Sequence, residues 1–135
     1  MSATMGPFWD NEVEHYLYRC YDAGDRLLYI GCTHDVEARM QVHGSSWSNP
    51  VSAYLNMRMV RYEAQEPPFK GRIAGRAAEK EAIAAEAPLL NRNHNKGRGL
   101  VGAALEAELE RTRVPLDPEL RDQFTQILAK FGAAS

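Results

Sequence analysis

Tyr16, Tyr18 and Tyr29 sit in two short stretches, HYLYRCYD and LLYIG, whose aromatic and aliphatic make-up suits β-strands. On an extended chain Tyr16, Tyr18 and Cys20 point one way, and Leu17, Arg19 and Tyr21 the other. Paired across a hairpin, Tyr18 and Tyr29 would present two phenol hydroxyls at one surface; tyrosine is also a favoured strand residue that needs no chemical duty. Arg39 and His43 are four residues apart and share one face of a helix. Val36 and Met40 lie close to that face, so a cation and an imidazole beside an apolar stripe would meet a cleft at the edge of the core. The plainer alternative has Arg39 solvated and His43 merely ending the helix. Glu79 shares a helical face with Arg76, Ala82 and Ile83. A carboxylate on a packing face calls for a paired cation or a metal, and Arg76, one turn back, could supply the pairing and make Glu79 purely structural. His15, Cys20, Cys32 and His34 do not match zinc-ligand spacing. No phosphate-loop glycine pattern, nucleophile elbow or CxxC is present.

The elements that must position these groups follow from local signals. His15 to Asp22 reads as a strand, Ala23-Gly24-Asp25 as a turn and Leu27 to Gly31 as a second strand, an antiparallel hairpin. Thr33 or Asp35 can cap a helix from about Val36 to His43, which Gly44 ends. Gly44 to Pro50 reads as loop, and Asn56 to Glu63, by alternation, as a third strand. Pro67 and Pro68 break the chain before an Ala- and Glu-rich helix at Arg72 to Glu86, stopped by Pro88. Asn91 to Gly99 reads as loop. Two more helices are expected, near Leu100 to Arg111 and from the Asp117-Pro118 cap to about Phe131. The expected fold is α+β, a three-stranded antiparallel sheet flanked by helices. It divides into an N-terminal arm (1–14), a domain (15–95) and a C-terminal helical extension (96–135) packed on or next to the domain.

Composition sets the frame. The 135 residues suit one domain, and 44% hydrophobic with 25% charged residues is ordinary for a globular chain. No apolar run approaches the roughly 20 residues of a membrane span. The start MSATMGPFWDNEVE has neither a basic nor an apolar stretch, and two cysteines are too few for a disulfide framework, so a cytoplasmic protein without membrane contact is expected. The net charge of −2 hides an uneven distribution. Residues 1–38 carry two Arg against seven acidic groups, a net of −5; residues 39–98 carry ten Lys and Arg against five Glu, a net of +5. An anionic partner would meet the middle of the chain.

Together these positions resemble the GIY-YIG nuclease family. Tyr16-Leu17-Tyr18 looks like its first motif, with Tyr16 in place of the opening glycine, and Tyr29-Ile30-Gly31 matches the second. Arg39 stands ten residues after Tyr29, where the family has its catalytic arginine, and His43 where many members have a histidine. Glu79, Pro88 and Asn91 look like the closing helix, with its metal-binding glutamate, proline and asparagine. The resemblance spans roughly residues 15 to 95. It implies a metal-dependent endonuclease acting on DNA, branched or single-stranded substrates included, with one Mg²⁺ (or Mn²⁺) held chiefly by Glu79. Tyr18, Tyr29, Arg39, His43, Glu79 and Asn91 would then form the catalytic set, with Arg39 stabilising phosphate charge and Tyr18, or in competition His43, taking the proton from water. The basic middle offers Arg58, Arg61, Lys70, Arg72, Arg76, Arg92, Lys96 and Arg98 for phosphate contact and Trp47 for stacking. The C-terminal helices are candidates for a homodimer contact. A catalytically silent nucleic-acid-binding or protein-interaction module on the same fold is the alternative.

Overall fold

A computed structural model describes residues 13–45, 48–91, 95, 104–105, 107–108 and 117–131. It is built on an antiparallel hairpin of β1 (Glu14–Tyr21) and β2 (Leu27–Thr33). Asp22 organises the connecting turn: its Oδ1 accepts from the backbone N–H of Gly24 at 3.0 Å and of Arg26 at 2.9 Å. Asp25 adopts a left-handed φ of 63°, a conformation that Asp tolerates better than most residues. In register, Tyr18 faces Gly31 and Cys20 faces Tyr29, so the Tyr18 and Tyr29 phenols share a sheet face without being direct partners.

The next elements are helices α1 (Val36–His43) and α2 (Pro50–Arg58). Asp35 caps α1, accepting from Ala38 N–H at 3.0 Å. The strand expected over Asn56 to Glu63 is corrected here: Asn56 to Arg58 form the last turn of α2, and β3 occupies only Arg61–Ala64. Asn49 caps α2 by accepting from Ser52 N–H at 2.9 Å, and Pro50 follows at the helix start. That cap, together with burial of Ala53, Tyr54 and Leu55, outweighs a short alternation of methionines and arginines that fits either structure. Pro50 thereby leaves the expected loop.

β3 pairs with the outer half of β1, from Tyr18↔Ala64 to Tyr21↔Arg61. A short β4 (Phe69–Lys70), absent from the sequence reading, pairs with Glu14 and His15 farther down the same side. Pro67 and Pro68 lie between the two, where their missing N–H groups interrupt the ladder. The order is therefore β2-β1-β3, with β4 beside β1.

Helix α3 (Arg72–Glu86) follows with the expected bounds and ends at Ala87, which takes a left-handed φ of 47° before Pro88. It packs on one face of the sheet, Ile83 against Leu17 and Ile30. Gly75 permits that approach, since a Cβ there would lie 2.7 Å from Cys32 Sγ. The opposite face buries Tyr18, Cys20 and Leu28 against Tyr54 and Leu55 of α2 and against Phe124 and Leu128 of α4 (Pro118–Phe131). The molecule is thus an α+β structure in three layers. Most of the helix expected near Leu100 to Arg111 lies outside the described residues; Ala104, Leu105, Ala107 and Glu108 are helical. Leu105 belongs to the same core as Tyr18, and Glu108 pairs with Arg26, which also holds Asp22. The described part of the C-terminal segment thus contributes Leu105, Phe124 and Leu128 to the main core.

After α3 the chain runs along the outer edge of β2. Leu89 and Leu90 N–H donate to the carbonyls of Leu27 and Leu28 at 3.2 and 2.8 Å. Asn91 completes the ladder with its side chain: Oδ1 accepts from Ile30 N–H at 2.8 Å and Nδ2 donates to Ile30 C=O at 2.9 Å. Asn95 holds this turn, its Nδ2 donating to the carbonyls of Pro88 and Asn91.

Candidate active site

Helices from the two sheet faces converge beside β2 and leave a cleft of about 400 Å³. Tyr29 enters it from β2, His43 from the end of α1, Arg76 and Glu79 from α3, and Asn91 from the edge-closing turn. Leu55, Ile83 and Leu90 supply apolar lining. Asn49 and Ser52, at the start of α2, also line it, and the sequence reading missed both. The Asn49-Pro50 pair, a cap followed by a first-turn proline, was the signal that could have found them.

Tyr18 lies beneath this cleft. Its ring is 1% exposed, and its hydroxyl is hydrogen-bonded to His43 Nε2 at 2.9 Å. Gly31 makes room for it, because a Cβ at that position would fall 2.2 Å from the Tyr18 hydroxyl oxygen. The glycine of the Tyr29-Ile30-Gly31 motif therefore serves the tyrosine of the opposite strand. Tyr18, Tyr29 and His43 form a triangle of rings with centroids 6.3, 5.8 and 5.5 Å apart.

Burial sets the protonation of this cluster. It pushes the Tyr18 phenol far above its ordinary range, with Tyr29 adding to the effect and Arg39 opposing it. Tyr29 is raised by burial and then by Glu79. His43 is pulled down to about 4, first by burial and then by the Arg39 cation. At neutral pH the three rings are uncharged, and one proton sits in the Tyr18–His43 hydrogen bond. Arg39 is exposed on α1, one turn before His43, and its charge is felt by all three rings. Glu79, with its side chain 16% exposed, lies 3.6 Å from Arg76, whose side chain is 61% exposed.

The remaining sequence candidates fall elsewhere. Arg58 is corrected as a surface phosphate contact, since its position on the inner side of α2 leaves it 6% exposed. Arg61 is on β3, the sheet edge opposite the cleft; Asp25 and Glu63 pair with it, and it lies 4.0 Å over the Tyr21 ring. Lys70 and Arg72 are exposed on β4 and at the start of α3. Trp47, Arg92, Lys96 and Arg98 lie outside the described residues. Among the described residues no group of three or more His, Cys, Asp or Glu side chains could hold a metal ion; Glu79 is the carboxylate that faces the cleft.

No protein-family model, curated protein or solved structure matches this chain. Among the described residues, no helix is long and apolar enough to cross a membrane.

Proposed function

We propose that the chain is a divalent-metal-dependent endonuclease of the GIY-YIG type, hydrolysing DNA phosphodiester bonds in the cytoplasm. The observation that carries this reading is the gathering of Tyr18, Tyr29, His43 and Glu79, distant in sequence, around one polar cleft with Arg39 at its side. Among the described residues Glu79 is the carboxylate lining the cleft, and one carboxylate suits Mg²⁺ or Mn²⁺, cations that keep several waters and take few protein ligands. The Arg76 guanidinium beside Glu79 supports the fit, because a positive charge already stands against that carboxylate. Once bound, the metal would supply Lewis-acid stabilisation of the phosphate.

The chain's own residues have separate tasks. Arg39 stabilises negative charge on the phosphoryl oxygens. Tyr18 and His43 act as a pair: the attacking water gives its proton to the Tyr18 oxygen while the phenol's own proton passes to His43 Nε2. That route lets a phenol held well above its ordinary range take part without ever ionising. Tyr29 orients the water, and Asn91 holds Ile30 and so the position of Tyr29. Among the described residues, Arg76 is the proposed phosphate contact that lines the cleft.

The test is cleavage of supercoiled plasmid and of branched and single-stranded oligonucleotides with Mg²⁺, Mn²⁺ or EDTA. Metal-dependent cutting should fall by about 10²-fold or more in Glu79→Ala and in Arg39→Ala. The deep burial of Tyr18 gives one reason to consider a silent nucleic-acid-binding module. DNA binding by the wild type without any cleavage would establish that reading instead.

A further inference from the structure

Arg76 and Glu79 are i,i+3 neighbours within a fifteen-residue helix, so the backbone of α3 holds the two side chains within reach of each other. Both line the cleft. The Nη1–Oε1 separation of 3.6 Å lies outside hydrogen-bonding range, so the contact is coulombic and the guanidinium is free to be exchanged for another cation. Glu79 is mostly covered whereas Arg76 is mostly in solvent, which makes the arginine the mobile partner. Among the described residues Glu79 is the carboxylate of the cleft, and a resident positive charge beside it sets how attractive it is to any incoming ion.

We infer that Arg76 is a built-in competitor of the divalent cation for Glu79, holding metal affinity low in the free protein. The inference rests on the reading of Glu79 as the metal-binding carboxylate, and it assigns Arg76 a regulatory part in addition to any contact with phosphate. The guanidinium neutralises Glu79, and a divalent ion must displace it. Removing the charge at position 76 should therefore tighten metal binding, whereas lysine, which keeps the charge, should not. A purely structural or purely DNA-binding arginine would leave the metal affinity of the protein alone unchanged.

The experiment is a Mn²⁺ titration of the full-length protein at neutral pH and low salt, with free Mn²⁺ read by electron paramagnetic resonance. Wild type, Arg76→Gln, Arg76→Lys and Glu79→Gln are compared, and circular dichroism confirms that each is folded. The expected result is about fivefold tighter binding in Arg76→Gln, the upper range for an exposed pair. Arg76→Lys should stay within about twofold of wild type, and Glu79→Gln should lose the site. If Arg76→Gln binds no tighter while Glu79→Gln still loses the site, the competition is overturned and the metal assignment stands. Should Glu79→Gln bind like wild type, or no variant bind Mn²⁺ at all, the metal assignment falls and the competition falls with it.

Discussion

Tyr18 is 1% exposed and its hydroxyl is hydrogen-bonded to His43, so on the proposed reading it would act through that imidazole. Tyr18→Phe keeps the ring over Gly31 and removes only the hydroxyl. Cleavage should drop by about 10²-fold with little change in the thermal midpoint, and a variant with full activity would remove Tyr18 from the proton path. Gly31→Ala should do more, since its Cβ meets the Tyr18 hydroxyl at 2.2 Å and the ring has to move; both activity and the denaturation midpoint should fall. His43 offers a test by pH. Its imidazole is held at about 4 in the folded chain against about 6.5 when unfolded. The unfolded chain therefore takes up a proton between those values that the folded chain refuses, and stability falls as pH drops through that window. The full loss is on the order of 3 kcal/mol by pH 4, with no contribution above pH 7. Urea midpoints of wild type and His43→Gln across pH 4 to 7 should diverge accordingly. Helical spacing placed Arg39 with His43, and Arg76 with Glu79, on shared faces, and the family resemblance pointed to Arg39, His43 and Glu79 as site residues. The burial of Tyr18 and the backbone-pairing role of Asn91 were not legible in the sequence, because both depend on register and on a turn that arrives some sixty residues later.

At the level of elements, the hairpin, α1, α3 and α4 could be read from caps, prolines and periodicity. The stretch from Asn49 to Ala64 could not. Alternation over a few residues does not separate a final helical turn from a strand, and the decision came from the cap and from the burial of Tyr54 and Leu55. β4 is two residues long and exists only because β1 offers it a partner. The turn at Leu89 to Asn91 carries the prediction at this scale. Asn91→Ala removes two hydrogen bonds to Ile30 and leaves a buried donor and acceptor unpaired. A loss of about 2–4 kcal/mol is expected, measurable by chemical denaturation, and the Ile30 amide should exchange with solvent much faster than in the wild type.

Across the whole molecule, the boundary drawn near residue 96 does not coincide with a boundary of the core. Leu105, Phe124 and Leu128 pack with Tyr18 and Leu28, and Tyr54 meets Phe124 edge to face with centroids 6.2 Å apart. A chain ending at residue 98 should therefore fail to fold cooperatively, with loss of the thermal transition in circular dichroism, instead of persisting as a minimal enzyme. A sharp transition in that fragment would show the C-terminal segment to be dispensable. The sequence left open whether the C-terminal helices pack on the domain or beside it, because nothing in its local pattern says against what an amphipathic helix will pack.

The closure of the β2 edge by Asn91 also bears on self-association. An open strand edge is a template for another chain, and this sheet has two. On β3 the edge is short and carries Arg61 and Glu63. At the β2 edge the backbone of Leu89 and Leu90 pairs with Leu27 and Leu28, and the backbone of Ile30 is capped by the side-chain amide of Asn91. Together these contacts leave little of that edge open to pairing with another chain. Loss of the Asn91 side chain would bare the Ile30 backbone and turn a local weakness into a route to aggregation.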